Sequence, residues 1–156
     1  FSIHNGIKSA NSNTIITLDG DGQNNPNDIS NLYENYLSNE NIDLVGGVRK
    51  KRNDSYLKII SSKIANSVRN LFLNDGCPDT GCGIKVFNRD IFLKFPFFDG
   101  MHRFLPALFI KNGFKCIYLE VDHRERKFGK SNYGTFKRAL NGLSNIIKVL
   151  YLPVNK

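Results

Sequence analysis

The 156-residue sequence has no tryptophan, one methionine and three cysteines. Cys77, Cys82 and Cys116 are odd in number and lack the paired spacing of a zinc site, which argues against both a structural metal and a disulfide scaffold. Free thiols in a reducing, cytoplasmic setting are the reading that remains. No apolar run reaches the roughly 18 residues that a membrane-crossing helix needs. Internal repeats, low-complexity tracts and domain linkers are missing too, leaving a single domain. The chain opens on Phe1 rather than Met. No basic, apolar and small-residue pattern of a signal peptide follows, so it reads as a processed chain or, by preference, a fragment whose front is missing.

Positive charge is scarce at the front. Residues 1–48 carry one basic residue, Lys8, against six acids, whereas the rest holds the other 21 basic residues and eight acids. An acidic front suits a cation and a basic body suits an anion, so nucleic acid, a phosphorylated substrate and an anionic membrane surface are all candidates. Hydrophobic content of 40% with 12% aromatics belongs to a folded chain rather than a disordered one.

The most informative stretch runs from Thr17 to Gln23. The apolar run Ile15-Ile16-Thr17-Leu18 reads as a buried strand, and it ends in Asp19 and Asp21, one residue apart. Carboxylates that close repel each other unless a cation or strong donors intervene. Mg²⁺ is held by one or two such groups together with substrate phosphates. A calcium loop is excluded, because an EF-hand starting at Asp19 needs Gly and Glu at its sixth and twelfth positions, and Asn24 and Ser30 stand there. An acidic turn before a helix is the plain alternative.

In chain order, residues 1–11 read as the tail of a helix and Thr14–Leu18 as a strand. Asn25 at the cap and Pro26 at the first helical position open the next helix. Ile42–Val48 is a second strand running into Arg49-Lys50-Lys51-Arg52, and Ser55–Leu73 a long helix closed by turn residues from Asn74 to Asp79. Gly83–Phe87 is a strand, Arg89–Leu93 a short helix, Met101–Lys111 a helix stopped by Asn112-Gly113, and Lys115–Val121 a strand. Thr135–Leu152 is amphipathic, with Phe136, Leu140, Leu143, Ile147 and Leu150 on one face. Alternating helices and strands predict an α/β fold with a mostly parallel sheet and flanking helices.

Leu18-Asp19-Gly20-Asp21-Gly22-Gln23 with Asn25-Pro26 resembles the aspartate motif of family-two glycosyltransferases of the polyprenyl-phosphate type, similar to dolichol-phosphate mannose synthase. The resemblance continues, in order, through Gly46-Gly47-Val48-Arg49, Asp79–Phe87, Met101–Leu108 and His123–Gly134. It implies a GT-A fold truncated at its N-terminus, with residues 1–134 forming the rear two-thirds of the domain and 135–156 a helix at a membrane interface. The implied reaction is inverting, metal-dependent transfer of a sugar from a UDP- or GDP-linked donor to a dolichyl or undecaprenyl phosphate. Its place would be the cytoplasmic face of the membrane, with the protein peripheral there.

The same resemblance implies roles residue by residue. Asp19, Asp21 and Gln23 would hold Mg²⁺ or Mn²⁺, and Asp21 and Asp79 would count as catalytic. Arg49, Arg126, Lys130 and Ser131 would meet donor phosphates, in keeping with the bidentate reach of guanidinium. Lys58 and Ser62, four apart on one helix face, would meet the acceptor phosphate, although the family has Arg where Lys58 stands. Cys82 occupies a position where the family commonly has Ser, and Asn132 one where it often has Lys. His102 would approach the sugar or leaving group, or pack as an ordinary hydrogen-bonded histidine.

Three rivals are weighed against this reading. Processive polysaccharide synthases carry a Gln-x-x-Arg-Trp motif, and a chain without tryptophan has none. A member of the same fold with a non-lipid acceptor stays open. A non-catalytic basic nucleic-acid-binding module lacks support, since no helix-turn-helix or RNA-binding signature occurs; no nucleic-acid partner is expected. The truncated chain alone is expected to be inactive or very weak.

Overall fold

The computed structural model describes residues 2–50, 56–124 and 135–154. Four strands form one sheet: β1 (Thr14–Thr17), β2 (Leu44–Arg49), β3 (Lys85–Asn88) and β4 (Cys116–Val121), in the spatial order β1-β3-β2-β4. β3 is antiparallel to both β1 and β2, and β2 is parallel to β4. Three strands therefore point one way and β3 opposes them, which makes the sheet mixed. Six helices flank it: α1 (Ser2–Ser9), α2 (Asp28–Leu37), α3 (Tyr56–Leu73), α4 (Arg89–Lys94), α5 (Leu105–Lys111) and α6 (Thr135–Tyr151).

Strand alternation divides the core between the two faces. Leu44 and Phe87 face each other in register and join Ile15, Phe92, Leu105, Phe109, Ile146 and Val149 on one side. Their neighbours Val45 and Val86, also paired, turn to the other side with Leu32, Cys82, Ile84 and Val121. α6 is anchored to the first layer by Ile146 and Val149, which are buried. The Lys111 ammonium at the end of α5 caps α6, donating to the carbonyls of Val149, Leu150 and Leu152 at 2.6 to 2.7 Å.

Two helical expectations change. The helix predicted from Asn25-Pro26 begins only at Asp28, with Asn27 at its cap and no capping side-chain bond. Asn25 Oδ1 instead accepts the Asn27 N–H at 3.2 Å, an Asx turn that competes with the helix start. The predicted helix Met101–Lys111 is broken at Phe104 into a 3-10 turn, Met101–Arg103, and α5. Pro106 explains the break: it sits in the first turn of α5, where its missing N–H is harmless. The predicted stops are borne out, with α3 ending before Asn74 and α5 before Asn112 and a left-handed Gly113.

Candidate functional site

The register brings four chain segments to one edge of the sheet. β1 leaves there at Thr17, β2 at Arg49 and β4 at Val121, while the reversed β3 enters at Lys85, paired with both Thr17 and Gly46. Ligands of open α/β sheets bind outside the carboxyl ends of strands.

Asp19 and Asp21 lie in the turn after β1, the first exposed and the second half-buried. Asp21 Oδ1 accepts the Gln23 N–H at 3.2 Å. The Asp19 carboxylate rests on the bare Cα of Gly83, where an added Cβ would stand 2.4 Å from Asp19 Cγ. Gln23 Nε2 lies 3.3 Å from His123 Nε2 and donates to the Arg124 carbonyl at 3.3 Å. An amide nitrogen only donates, so the network assigns His123 Nε2 as acceptor and the ring proton to Nδ1. The acidic turn is further sewn to the end of β4. Arg124 N–H donates to the Gln23 carbonyl at 2.8 Å, Arg124 Nη2 donates to Asn25 Oδ1 at 2.7 Å, and Asn24 bridges His123.

These residues fit a hard divalent cation. Two carboxylates share one short turn, and one of them lies in a cradle that any side chain at position 83 would fill. Among the described residues no three His, Cys, Asp or Glu side chains gather at a point. The protein would thus supply part of a coordination shell and leave the rest to amide, substrate and water oxygens, the usual arrangement for Mg²⁺.

Arg49 and Asp79 form the second half of the site. Arg49 Nε and Nη2 donate to the two Asp79 oxygens at 2.6 and 2.7 Å, with side chains 12% and 7% exposed. This fork-to-carboxylate geometry is the strong, bidentate kind. It passes beside Gly81, where an added Cβ would lie 2.9 Å from Arg49 Nη2. The guanidinium predicted to meet phosphate is thus oriented by the carboxylate predicted to be catalytic.

The turn bearing Asp79 is held by α3. Arg69, 3% exposed, pairs with the 1% exposed Asp75 and also donates to the Cys77 carbonyl and Asn66 Oδ1. Asn66 Nδ2 donates to the Pro78 carbonyl at 2.9 Å, and Thr80 Oγ1 donates to Asn66 Oδ1 at 3.1 Å.

Ser62 is half-buried on α3, one turn beyond Lys58, whose side chain is outside the described set. Lys50 reaches Glu120 at 3.3 Å on the open surface, a pairing of little energetic weight. Lys51, Arg52, Arg126, Lys130 and Ser131 lie outside the described residues. Cys82 is 1% exposed, and burial pushes its thiol pKa up. His102 is half-buried; desolvation, then the nearby Arg103 and Lys85 charges, push its pKa down to about 4.

Sequence reading assigned no individual role to Lys85, His123 or Arg124, though all three lie in quoted motifs. Lys85 had a signal, being a lone cation in the apolar strand Ile84-Lys85-Val86-Phe87. His123 had none, because its contact to Gln23 spans 100 positions.

The model of the family described as Glycosyl transferase family 2 matches residues 2–95. Dodecaprenyl-phosphate galacturonate synthase of Rhizobium johnstonii is 33% identical over 152 residues, covering 94% of this chain and 45% of that protein. Undecaprenyl-phosphate 4-deoxy-4-formamido-L-arabinose transferase of Pectobacterium carotovorum is 31% identical over 145 residues, covering 93% and 43%. The chain therefore spans about half the length of the curated relatives it matches. Among solved structures, glucosyl-3-phosphoglycerate synthase of Mycobacterium tuberculosis, in complex with Mn²⁺ and UDP-glucose, superposes with a TM-score of 0.71. That match has 13% identity and covers 97% of this chain and 54% of the other, a likeness of fold. With the aspartate turn, the strand-end arginine and the sheet order all in place, the chain belongs to glycosyl transferase family 2 and has a GT-A-type fold.

Proposed function

We propose that this chain forms the site at which a sugar passes from a nucleoside-diphosphate donor to a polyprenyl phosphate. The observation that carries the reading is the Asp19–Asp21–Gln23 turn, tied to the end of β4 and opposed by the Arg49–Asp79 pair. The polyprenyl-phosphate specificity of the two bacterial relatives, as their names give it, supports the acceptor class. A non-lipid acceptor has the support of fold alone.

Asp19, Asp21 and the Gln23 amide oxygen would hold Mg²⁺ or Mn²⁺, which would supply charge neutralisation for the departing diphosphate. Arg49, aimed by Asp79, and the basic residues Arg126, Lys130 and Ser131 would bind phosphate oxygens. Lys58 and Ser62 would receive the acceptor phosphate. That acceptor is anionic near neutral pH and needs no strong general base, in keeping with a site rich in cations. Asp79 would orient the acceptor or the sugar through the turn it anchors, and the sheet edge would fix the donor against it.

α6 would lie on an anionic cytoplasmic leaflet. Of its predicted apolar face, Leu143, Ile147 and Leu150 are 50%, 56% and 42% exposed, and the side chains of Phe136 and Leu140 lie outside the described residues. Ile60, Ile64, Leu71 and Phe72 of α3, the helix packed beside it, are exposed too. Exposed apolar side chains on neighbouring helices support an interaction surface there. Among the described residues no helix is long and apolar enough to cross a membrane.

The test is a crystal soak with Mn²⁺ and UDP or GDP. The expected result is metal density on Asp19 and Asp21 with the diphosphate toward Arg49. Metal density elsewhere would sink the reading.

A further inference from the structure

The Gly81–Gly83 turn is fastened by two side chains from the strands beneath it. Lys85 Nζ donates to the Cys82 carbonyl, and Thr17 Oγ1 donates to the Gly83 carbonyl at 2.9 Å. Thr17 and Lys85 are themselves cross-strand partners, so the two fasteners stand side by side. Lys85 is 5% exposed, and among the described residues it forms no ion pair. Burial lowers its pKa, against the opposing influence of the Cys82 and Cys77 thiols and the Asp19 and Asp79 carboxylates, and its charge also bears on His102.

Burying an ammonium without an ion-pair partner is costly, and an apolar side chain between Ile84 and Val86 would avoid that cost. Whatever positive charge Lys85 carries beside Asp19 also repels any metal held there. The benefit of Lys85 must therefore lie in geometry rather than in field. We propose that Lys85 is a positioning residue: by holding the Cys82 carbonyl it keeps Gly83 under the Asp19 carboxylate and Gly81 beside the Arg49–Asp79 pair. The proposal rests on the reading of Asp19 and Asp21 as cation ligands. Charge and geometry predict opposite outcomes when Lys85 is neutralised, so the two can be separated.

The experiment measures Mn²⁺ binding to the 156-residue chain by electron paramagnetic resonance, for the unaltered protein, Lys85→Met, Thr17→Val and Asp19→Asn. Lys85→Met keeps the stem and removes the donor and its charge; Thr17→Val removes the second fastener and no charge. Both are expected to weaken Mn²⁺ binding at least about five-fold. Amide exchange should quicken at Gly81–Ile84 and stay unchanged in β2. Lys85→Met binding Mn²⁺ as tightly as the unaltered chain, or more tightly, overturns the proposal, because only charge relief would then be seen. Should Lys85→Met fail to fold, Thr17→Val decides, and unchanged binding there overturns it. Absence of Mn²⁺ binding by the unaltered chain, or equal binding by Asp19→Asn, overturns the metal-site reading itself and the proposal with it.

Discussion

The carboxylate of Asp19 lies against the Cα of Gly83, so close that a Cβ there would sit 2.4 Å from Asp19 Cγ and Oδ2. The residues are 64 positions apart, yet neither place is independent of the other. The atoms in the way belong to the end of an exposed side chain, which can swing aside without moving backbone. Gly83→Ala is therefore expected to leave the fold nearly intact, shifting stability by less than about 1 kcal/mol. It should weaken Mn²⁺ binding by about ten-fold or more. Thermal melting alongside Mn²⁺ titration checks it; loss of stability with intact binding would contradict it.

Arg49 and Asp79 give the opposite pattern. Their bidentate pair is nearly buried, and removing one partner of such a pair costs about 3–5 kcal/mol, because the other is left charged and unpaired. Asp79→Asn should cost that much in urea unfolding. The double change Arg49→Met with Asp79→Leu should recover most of the stability, since apolar replacement of both partners is often neutral. Binding of Mn²⁺ with UDP should remain lost in the double variant. Recovery of that binding would show that the pair is structural only.

How much of this was legible in the sequence depended on range. Asp19 and Asp21 follow a β-branched run, and Arg49 follows the strand pattern of residues 42–48, so their places at strand ends could be read from local pattern. The stops after Leu73 and Lys111 were equally local. The grip of Asp79 on Arg49 spans 30 positions and that of Gln23 on His123 spans 100, and no periodicity encodes such contacts. The reversal of β3 was also hidden, since the short connection into α4 looks the same for either direction. In α6 the pattern was clear but its facing was not: Leu143, Ile147 and Leu150 share a face and point outward, while Ile146 and Val149 enter the core. An apolar helix face reports that something covers it, without reporting what.

His102 should contribute a stability that depends on pH. Its folded pKa, about 4, lies below the ordinary 6.5 because burial and nearby Arg103 and Lys85 disfavour the imidazolium. The unfolded chain takes up the proton first as pH falls. The contribution is thus fully present above pH 6.5 and drains away between 6.5 and about 4, by about 3 kcal/mol at most. Urea midpoints at pH 7 and pH 4.5 should converge on a smaller difference in His102→Phe. An unchanged difference would mean that other groups carry the acid sensitivity.

The two sides of α6 allow a separation of folding from surface binding. Val149 is fully buried in the core, and Val149→Ala should cost about 1–3 kcal/mol by leaving a cavity. The triple change Leu143→Glu, Ile147→Glu, Leu150→Glu alters only exposed positions and should hold the melting temperature within a few degrees. On vesicles containing phosphatidylglycerol, the same triple variant should lose most of its sedimentation with lipid, because it removes apolar area and adds negative charge toward an anionic surface. Val149→Ala should sediment as the unaltered chain does at temperatures where it is folded. If instead the triple variant melts early, the outward face is packing against protein rather than meeting lipid, and the interfacial reading of α6 fails.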